Sequence, residues 1–205
     1  MATSERSAPQ RGRPAAASRE AVLAAAMHRF LRGQRIDIRA IAAELGLARP
    51  TIYRWLGSRE DLIGEVLILA ADPLLDEARA NARGRGGRVL LDTFDRFNRS
   101  LADAPALRQF VEQEHDAALR IICSGAGRVQ PHLVARIAGL IEDEVRRGSY
   151  EPRVEPSTLG YAIVRLAEAF LFNDAAGRMR DDVDRLREIE AALLGVSERP
   201  AGGRD

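Results

Sequence analysis

From Ser18 onward, apolar side chains recur at the three- and four-residue spacing of an amphipathic helix, and no stretch reads as a convincing strand. The pattern predicts an all-α protein. Ser18 is placed to cap a first helix, with Glu20 near its positive end and Val22, Ala25, Ala26, Met27, Phe30 and Leu31 along one face. Gly33 ends it. In a short second helix Asp37 is the cap, Ile36 and Ile41 occupy the two positions of a hydrophobic staple, and Ile38, Ile41, Ala42 and Leu45 form the buried stripe. Gly46 supplies the positive φ of a tight turn, with Leu47 available to lock that turn into the core. A third helix is expected from Pro50 to Leu56, because proline suits a first helical position and drives the preceding Arg49 out of the helical region into the cap.

Gly57 breaks the chain again, and Ser58 with Asp61 resembles a capping box at the start of a fourth helix. That helix is expected to reach about Ala71, where Asp72-Pro73 kinks or restarts it. The run from Gly84 to Gly87 reads as a flexible turn. Five more helices are expected near 88–103, 105–123, 128–148, 156–176 and 181–195. Pro105 and Pro156 stand at starts, and Gly125, Gly127, Gly148 and Gly177 at ends. No internal repeat appears. The chain therefore divides into a basic arm (1–17), a small unit of short helices (18–64), a larger helical unit (65–198) and a short tail (199–205).

Composition adds little until it is split. Of 205 residues 46% are apolar and 30% charged, the mixture of a chain that folds. The net charge of +1 conceals an asymmetry. Residues 1–60 carry 11 Arg against 5 acids, whereas 61–205 carry 20 Arg against 25 acids. Such a split suits an N-terminal segment that faces a polyanion. Charge alone suits a solvated basic face equally well, and all 31 basic residues being Arg fits a GC-rich coding bias. No apolar run approaches the roughly 18 to 20 residues that span a bilayer, and the opening residues lack a signal-peptide core, so the expected location is the cytoplasm without a membrane.

Two short helices around a glycine turn, the second opening Arg-Pro-Thr, make a helix-turn-helix. In that docking mode the first residues of the second helix reach base edges in the major groove, which singles out Arg49, Pro50, Thr51, Tyr53 and Arg54. Free amides at Ser58, its hydroxyl and Arg59 suit a phosphate. The string IRAIAAELGLARPTIYRWLGSREDLIGEVL resembles the DNA-binding signature of the TetR-like repressors, over about residues 18–67, through Ile41-Ala42, Gly46, Thr51-Ile52-Tyr53, Leu56, Ser58-Arg59 and Leu62. The resemblance implies base contacts from Arg39, Arg49, Pro50, Thr51 and Tyr53, and phosphate contacts from Trp55 and Arg59. Trp55, Arg59 and Ala48 depart from the commoner family residues. By chemistry alone Trp55 also suits the core, and Arg39 and Arg49 a solvated surface.

For the C-terminal half the resemblance implies a ligand pocket and a homodimer seam built from the last two long helices. One apolar face holds Tyr161, Ile163, Val164, Ala167, Phe170 and Leu171, and another Val183, Leu186, Ile189, Leu193 and Leu194. Packing within one chain explains either equally well. Aromatics with a few polar groups nominate Phe94, Phe97, Asn98, Phe110, Glu114, His115, Tyr161 and Phe172 as pocket residues. YAIVRLAEAFLFNDAAG is similar to the regulators of quorum-signal lactone degradation in actinobacteria, which implies a lactone or acyl effector.

Nothing in the sequence spells out catalysis. His28, His115 and His132 lie far apart without metal-ligand spacing, and Cys123 stands alone. No GxSxG elbow, Walker A loop or dinucleotide fingerprint is present, so no catalytic, metal or cofactor residue is assigned. The expected function is a ligand-responsive repressor of a palindromic double-stranded DNA operator. The competing reading is a helical binding protein or enzyme with an incidental helix-turn-helix.

Overall fold

The computed structural model describes residues 18–172 and 179–197; the arm, the tail, Gly177 and the end of the 156–176 helix lie outside them. Ten helices and no strand occur among the described residues: α1 (Arg19–Leu31), α2 (Ile38–Leu45), α3 (Arg49–Leu56), α4 (Arg59–Asn81), α5 (Gly87–Asp103), α6 (Pro105–Gln113), α7 (His115–Cys123), α8 (Val129–Arg146), α9 (Pro156–Leu171) and α10 (Met179–Leu193).

Local chemistry sets the boundaries of the first four helices. The Ser18 hydroxyl accepts from the Ala21 N–H at 3.2 Å, and Asp37 Oδ1 from the Arg39 N–H at 2.8 Å. Ser58 and Asp61 close a reciprocal capping box, satisfying amides that a helix start leaves orphaned. Gly46 sits at φ 64°, ψ 30°, where a side chain would be strained. It lets the Leu47 N–H reach back to the Ala42 carbonyl at 2.9 Å.

Three boundaries differ from the sequence pattern. Arg49 is helical and Ala48, with no side-chain bond, is the cap, which puts Pro50 at the second helical position. The amide missing there is also one of the four that have no helical partner, so the ring does no damage. α4 runs unbroken through Pro73 to Asn81. Pro73 and Leu69, whose carbonyl loses its donor, both lie on the exposed side, where water can take that bond. The segment expected as one helix over 105–123 breaks at Glu114 (φ −133°, ψ 45°) into α6 and α7.

Two adjoining cores hold the chain together. The first joins Val22, Phe30, Ile41, Ile52, Leu56, Leu62 and Ile63 to Leu107, Phe110, Ile121, Leu171 and Val183. The second packs Leu75, Leu90, Leu91, Phe94, Phe97, Ile141, Ile163 and Leu194. Each such side chain contributes about 1.5–3 kcal/mol on burial. The helix-turn-helix therefore rests on α4 and, through α1, on α6, and α4 belongs to both halves. α8 and α9 approach closely where a Cβ at Gly160 would stand 3.0 Å from the Ala138 backbone nitrogen.

Candidate nucleic-acid interface and effector cavity

α3 is held by two buried residues, Ile52 and Leu56, and presents the rest outward. Arg49, Pro50, Tyr53 and Arg54 are exposed, Thr51 is half-buried, and Arg39 is exposed on α2 beside them. Tyr53 is 47% exposed, an unusual position for an aromatic unless something else covers it. Trp55 is partly buried against the first core, combining packing with an accessible edge. Ser58 is exposed at the start of α4, although its hydroxyl and N–H both donate to Asp61.

Arg59 points elsewhere than expected. Its Nε donates to the Ile36 carbonyl at 2.7 Å and its Nη2 to Glu114 Oε1 at 2.7 Å. Arg35 approaches the same carboxylate at 3.6 Å. Glu114, nominated for the pocket, is thus the acceptor at a joint between α4 and the α6–α7 break. Phe110, also nominated, packs edge-on against Phe30 with ring centroids 6.4 Å apart. Further pairs clasp the start of α4: Arg120 to Glu60 at 3.4 Å, and Arg128 to Asp61 at 3.3 Å and Glu65 at 3.5 Å.

A cavity of about 40 Å³ lies in the larger half, between α5, α7, α8, α9 and α10. Four nominated residues meet there: Phe94, Phe97, Asn98 and Phe172. His115 and Tyr161 are instead exposed, because the α6–α7 break turns His115 outward and Tyr161 stands on the outer side of α9. Ile122, Leu133, Ile137, Ile163, Val164 and Ala167 complete the apolar wall.

Two carboxyl side chains also line this space, and sequence reasoning missed both. Glu168 accepts from Gln130 Nε2 at 3.2 Å and from Arg165 Nη1 at 2.7 Å. Burial raises its pKa, and Gln130 and Arg165 oppose that rise. Glu190 is completely buried. Asn98 Nδ2 donates to its Oε1 at 3.1 Å, and its Oε2 has no partner. Burial pushes Glu190 up to about 8, with Asn98 pulling down, Asp95 adding to the rise and Arg187 opposing it. The signal was present: Val183, Leu186, Glu190 and Leu194 fall on one buried stripe, so an acid occupies an apolar register position. Ile189 and Leu193, assigned to that stripe from sequence, are each 38% exposed.

Cys123 lies near Glu168, and burial together with that carboxylate pushes its thiol up to about 11, which keeps it protonated and unreactive at neutral pH. No cluster of three metal-ligating side chains occurs among the described residues. Nor is any described helix long and apolar enough to cross a membrane.

An outward-facing recognition helix on a head that shares its core with a cavity-bearing helical body defines a transcriptional regulator of the one-chain, two-function kind. The chain belongs to the tetracycline-repressor-like family: the model described as "Tetracyclin repressor-like, C-terminal domain" matches residues 85–195, more than half of the chain. It is accordingly a ligand-responsive DNA-binding regulator, not an enzyme. Among solved structures it is similar to the TetR-family transcriptional repressor QsdR of R. erythropolis, with 27% identity, a TM-score of 0.82, and coverage of 90% of this chain and 97% of that one. The TetR-family repressor AlkX of Dietzia sp. strain DQ12-45-1b, implicated in biodegradation of n-alkanes, shares the fold at 20% identity and a TM-score of 0.59, over 88% and 97% of the two chains. No curated protein matches the sequence.

Proposed function

We propose that the protein is a homodimeric repressor of a palindromic operator, released when a small, mostly apolar molecule enters the cavity. The observation that carries the reading is the exposed face of α3, anchored by Ile52 and Leu56 in a core continuous with α6, α7 and α10. Arg39, Arg49, Pro50, Thr51, Tyr53 and Arg54 take base edges in this proposal, and Trp55 and Ser58 the flanking phosphates. Arg59 is assigned to the joint with Glu114 rather than to a phosphate, because its guanidinium is engaged there. Chromosomal DNA as partner puts the protein in the cytoplasm.

Dimerisation is supported by the apolar residues left outside on the last two helices: Tyr161 on α9, 52% exposed, and Ile189 and Leu193 on α10. A recognition helix of eight residues makes few base contacts alone, and two-fold pairing doubles them. The similarity to QsdR favours the quorum-signal subgroup and a lactone or acyl effector for this chain. The apolar wall suits such a molecule, although a cavity of about 40 Å³ has to open by side-chain and helix shifts to admit it.

The test is reciprocal. A duplex selected from a random library should bind as a palindrome to a dimer, and a medium-chain lactone such as γ-octalactone should weaken that binding. By linkage, saturating duplex must weaken lactone binding by the same factor. Lactone affinity that is identical with and without duplex rejects this molecule's class as inducer. A protein that stays monomeric and selects no duplex rejects the whole reading.

A further inference from the structure

We propose that Glu190 is the recognition group of the cavity, donating its Oε2–H to the carbonyl oxygen of a neutral, apolar ligand such as an ester, lactone or ketone. The inference rests on the effector reading above and deepens it by naming the ligand's polar atom and the residue that holds it.

The geometry determines which oxygen does what. Asn98 Nδ2 is a donor only, so the Oε1 it reaches at 3.1 Å must accept. In a neutral carboxyl the proton then lies on Oε2, the buried oxygen without a partner. A buried, unpartnered O–H on a residue that lines the cavity with Phe94, Phe97, Ile163 and Phe172 carries the desolvation penalty of an unmade bond, and a ligand oxygen removes that penalty. The donor is thus prepared before the ligand arrives.

The surroundings keep the group neutral. From α5, Asn98 donates to Glu190, and Asp95 is near enough to disfavour a second negative charge. From α10 itself Arg187 favours ionisation, but it is paired with Asp95 Oδ2 at 3.2 Å. From α9 the other carboxylate of the cavity, Glu168, is already answered by Arg165 and by Gln130 of α8. Burial outweighs these charges and places the titration near 8. An alkylammonium ligand, the alternative for two acids in one cavity, would have to leave water for a wall of hydrocarbon and ring carbon.

The proposal is tested by calorimetry on the full chain with two probes that differ only in the carbonyl: γ-octalactone and 2-butyltetrahydrofuran. At pH 7 the lactone should bind about fivefold or more tightly, the effect of one buried hydrogen bond. Between pH 7 and 8.5 its affinity should fall about fourfold, as the neutral fraction of a group titrating near 8 declines. Glu190→Gln keeps a neutral donor and should bind the lactone with no pH dependence over that range. Glu190→Leu should fold, as thermal melting would show, yet bind the two probes equally. Equal affinity of the wild type for both probes, or a lactone preference that survives in Glu190→Leu, overturns the role of Glu190 while leaving an effector cavity in place. Tighter binding of n-octylammonium than of the lactone overturns the neutral-ligand chemistry. Failure of every probe to bind the wild type overturns the effector reading itself.

Discussion

Glu144, near the end of α8, and Glu190, on α10, are both buried carboxyl groups of the same helical body. Glu144 is surrounded by donors. Arg79 and Arg147 approach its Oε1, while Ser149 Oγ donates to Oε2 at 2.7 Å and the Gly86 N–H at 3.1 Å. Among the described residues Glu190 accepts from Asn98 at Oε1, and its Oε2 has no partner. Burial pushes both acids up, but at Glu144 the hydrogen bonds from Ser149, Arg79, Arg147 and Gly86 outweigh it and hold the group down at about 2. At Glu190 burial wins and the group rises to about 8. The difference separates a carboxylate that braces the structure from one left open for something else: the first has used its acceptor capacity, and the second retains an unused atom in a cavity.

The largest expected effect is at the brace. Glu144→Ala removes the acceptor from two guanidinium groups, a hydroxyl and an amide at once, and should destabilise the fold by about 3–5 kcal/mol in denaturant unfolding. A loss below about 1 kcal/mol would show that the donors find water instead. Gly86→Ala comes next: its Cβ would stand 2.1 Å from the Ser149 carbonyl oxygen, at a φ of 58° that side chains rarely adopt. A stability loss of about 2–3 kcal/mol is expected, because backbone rather than a flexible side chain would have to yield.

Glu190→Gln should act in the opposite direction. The folded-state pKa lies above the usual carboxylate value, so this group's contribution is fully present below about 4.5 and declines as pH rises to about 8. The variant should therefore match the wild type near pH 4 and gain about 1–3 kcal/mol over it by pH 8. Glu144 has the reverse sign, since a depressed pKa contributes stability above about 4.5 that is lost as pH falls towards 2. Glu144→Gln should thus lose much of its disadvantage in acid. Melting curves of the two Gln variants across pH 3 to 8.5 would reveal the crossing, and parallel curves would erase the comparison. The smallest effect is expected for Asn98→Leu, which removes a buried hydrogen bond to Glu190 and should move its titration upward with a stability loss of about 1 kcal/mol at pH 5.

Much of the head was legible because its determinants are local. Ser18, Asp37, Gly46 and the Ser58–Asp61 box each act within a few residues, so caps, turn and exposed recognition face could be read directly. The break at Glu114 could not, since no Gly or Pro marks it. Its carboxylate is met by Arg59, fifty-five positions earlier in the chain. Pro73 misled for a related reason: the rule that proline ends a helix assumes a carbonyl that needs its donor, and Leu69 is on the wet side. In the cavity, aromatic type and helical spacing recovered Phe94, Phe97, Asn98 and Phe172, but type alone cannot say which side of α9 Tyr161 occupies. By residue type Glu190 is one more charge on a charged helix; only its register, with Val183, Leu186 and Leu194, marks it as buried.

The continuity of α4 through Pro73 has a mechanical consequence. At 1.5 Å per residue its 23 residues form a rod about 34 Å long. Its first turn holds the head through Arg59, and its sides rest on α5, α7 and α8, three of the helices that wall the cavity. If the far end is held, a tilt of about 5° displaces the near end by about 3 Å, because a rod converts angle into travel in proportion to its length. Two heads carried on two such rods would change their separation by up to twice that. A hinge at Pro73 would absorb such a motion; an unbroken helix would deliver it to the end that carries Arg59.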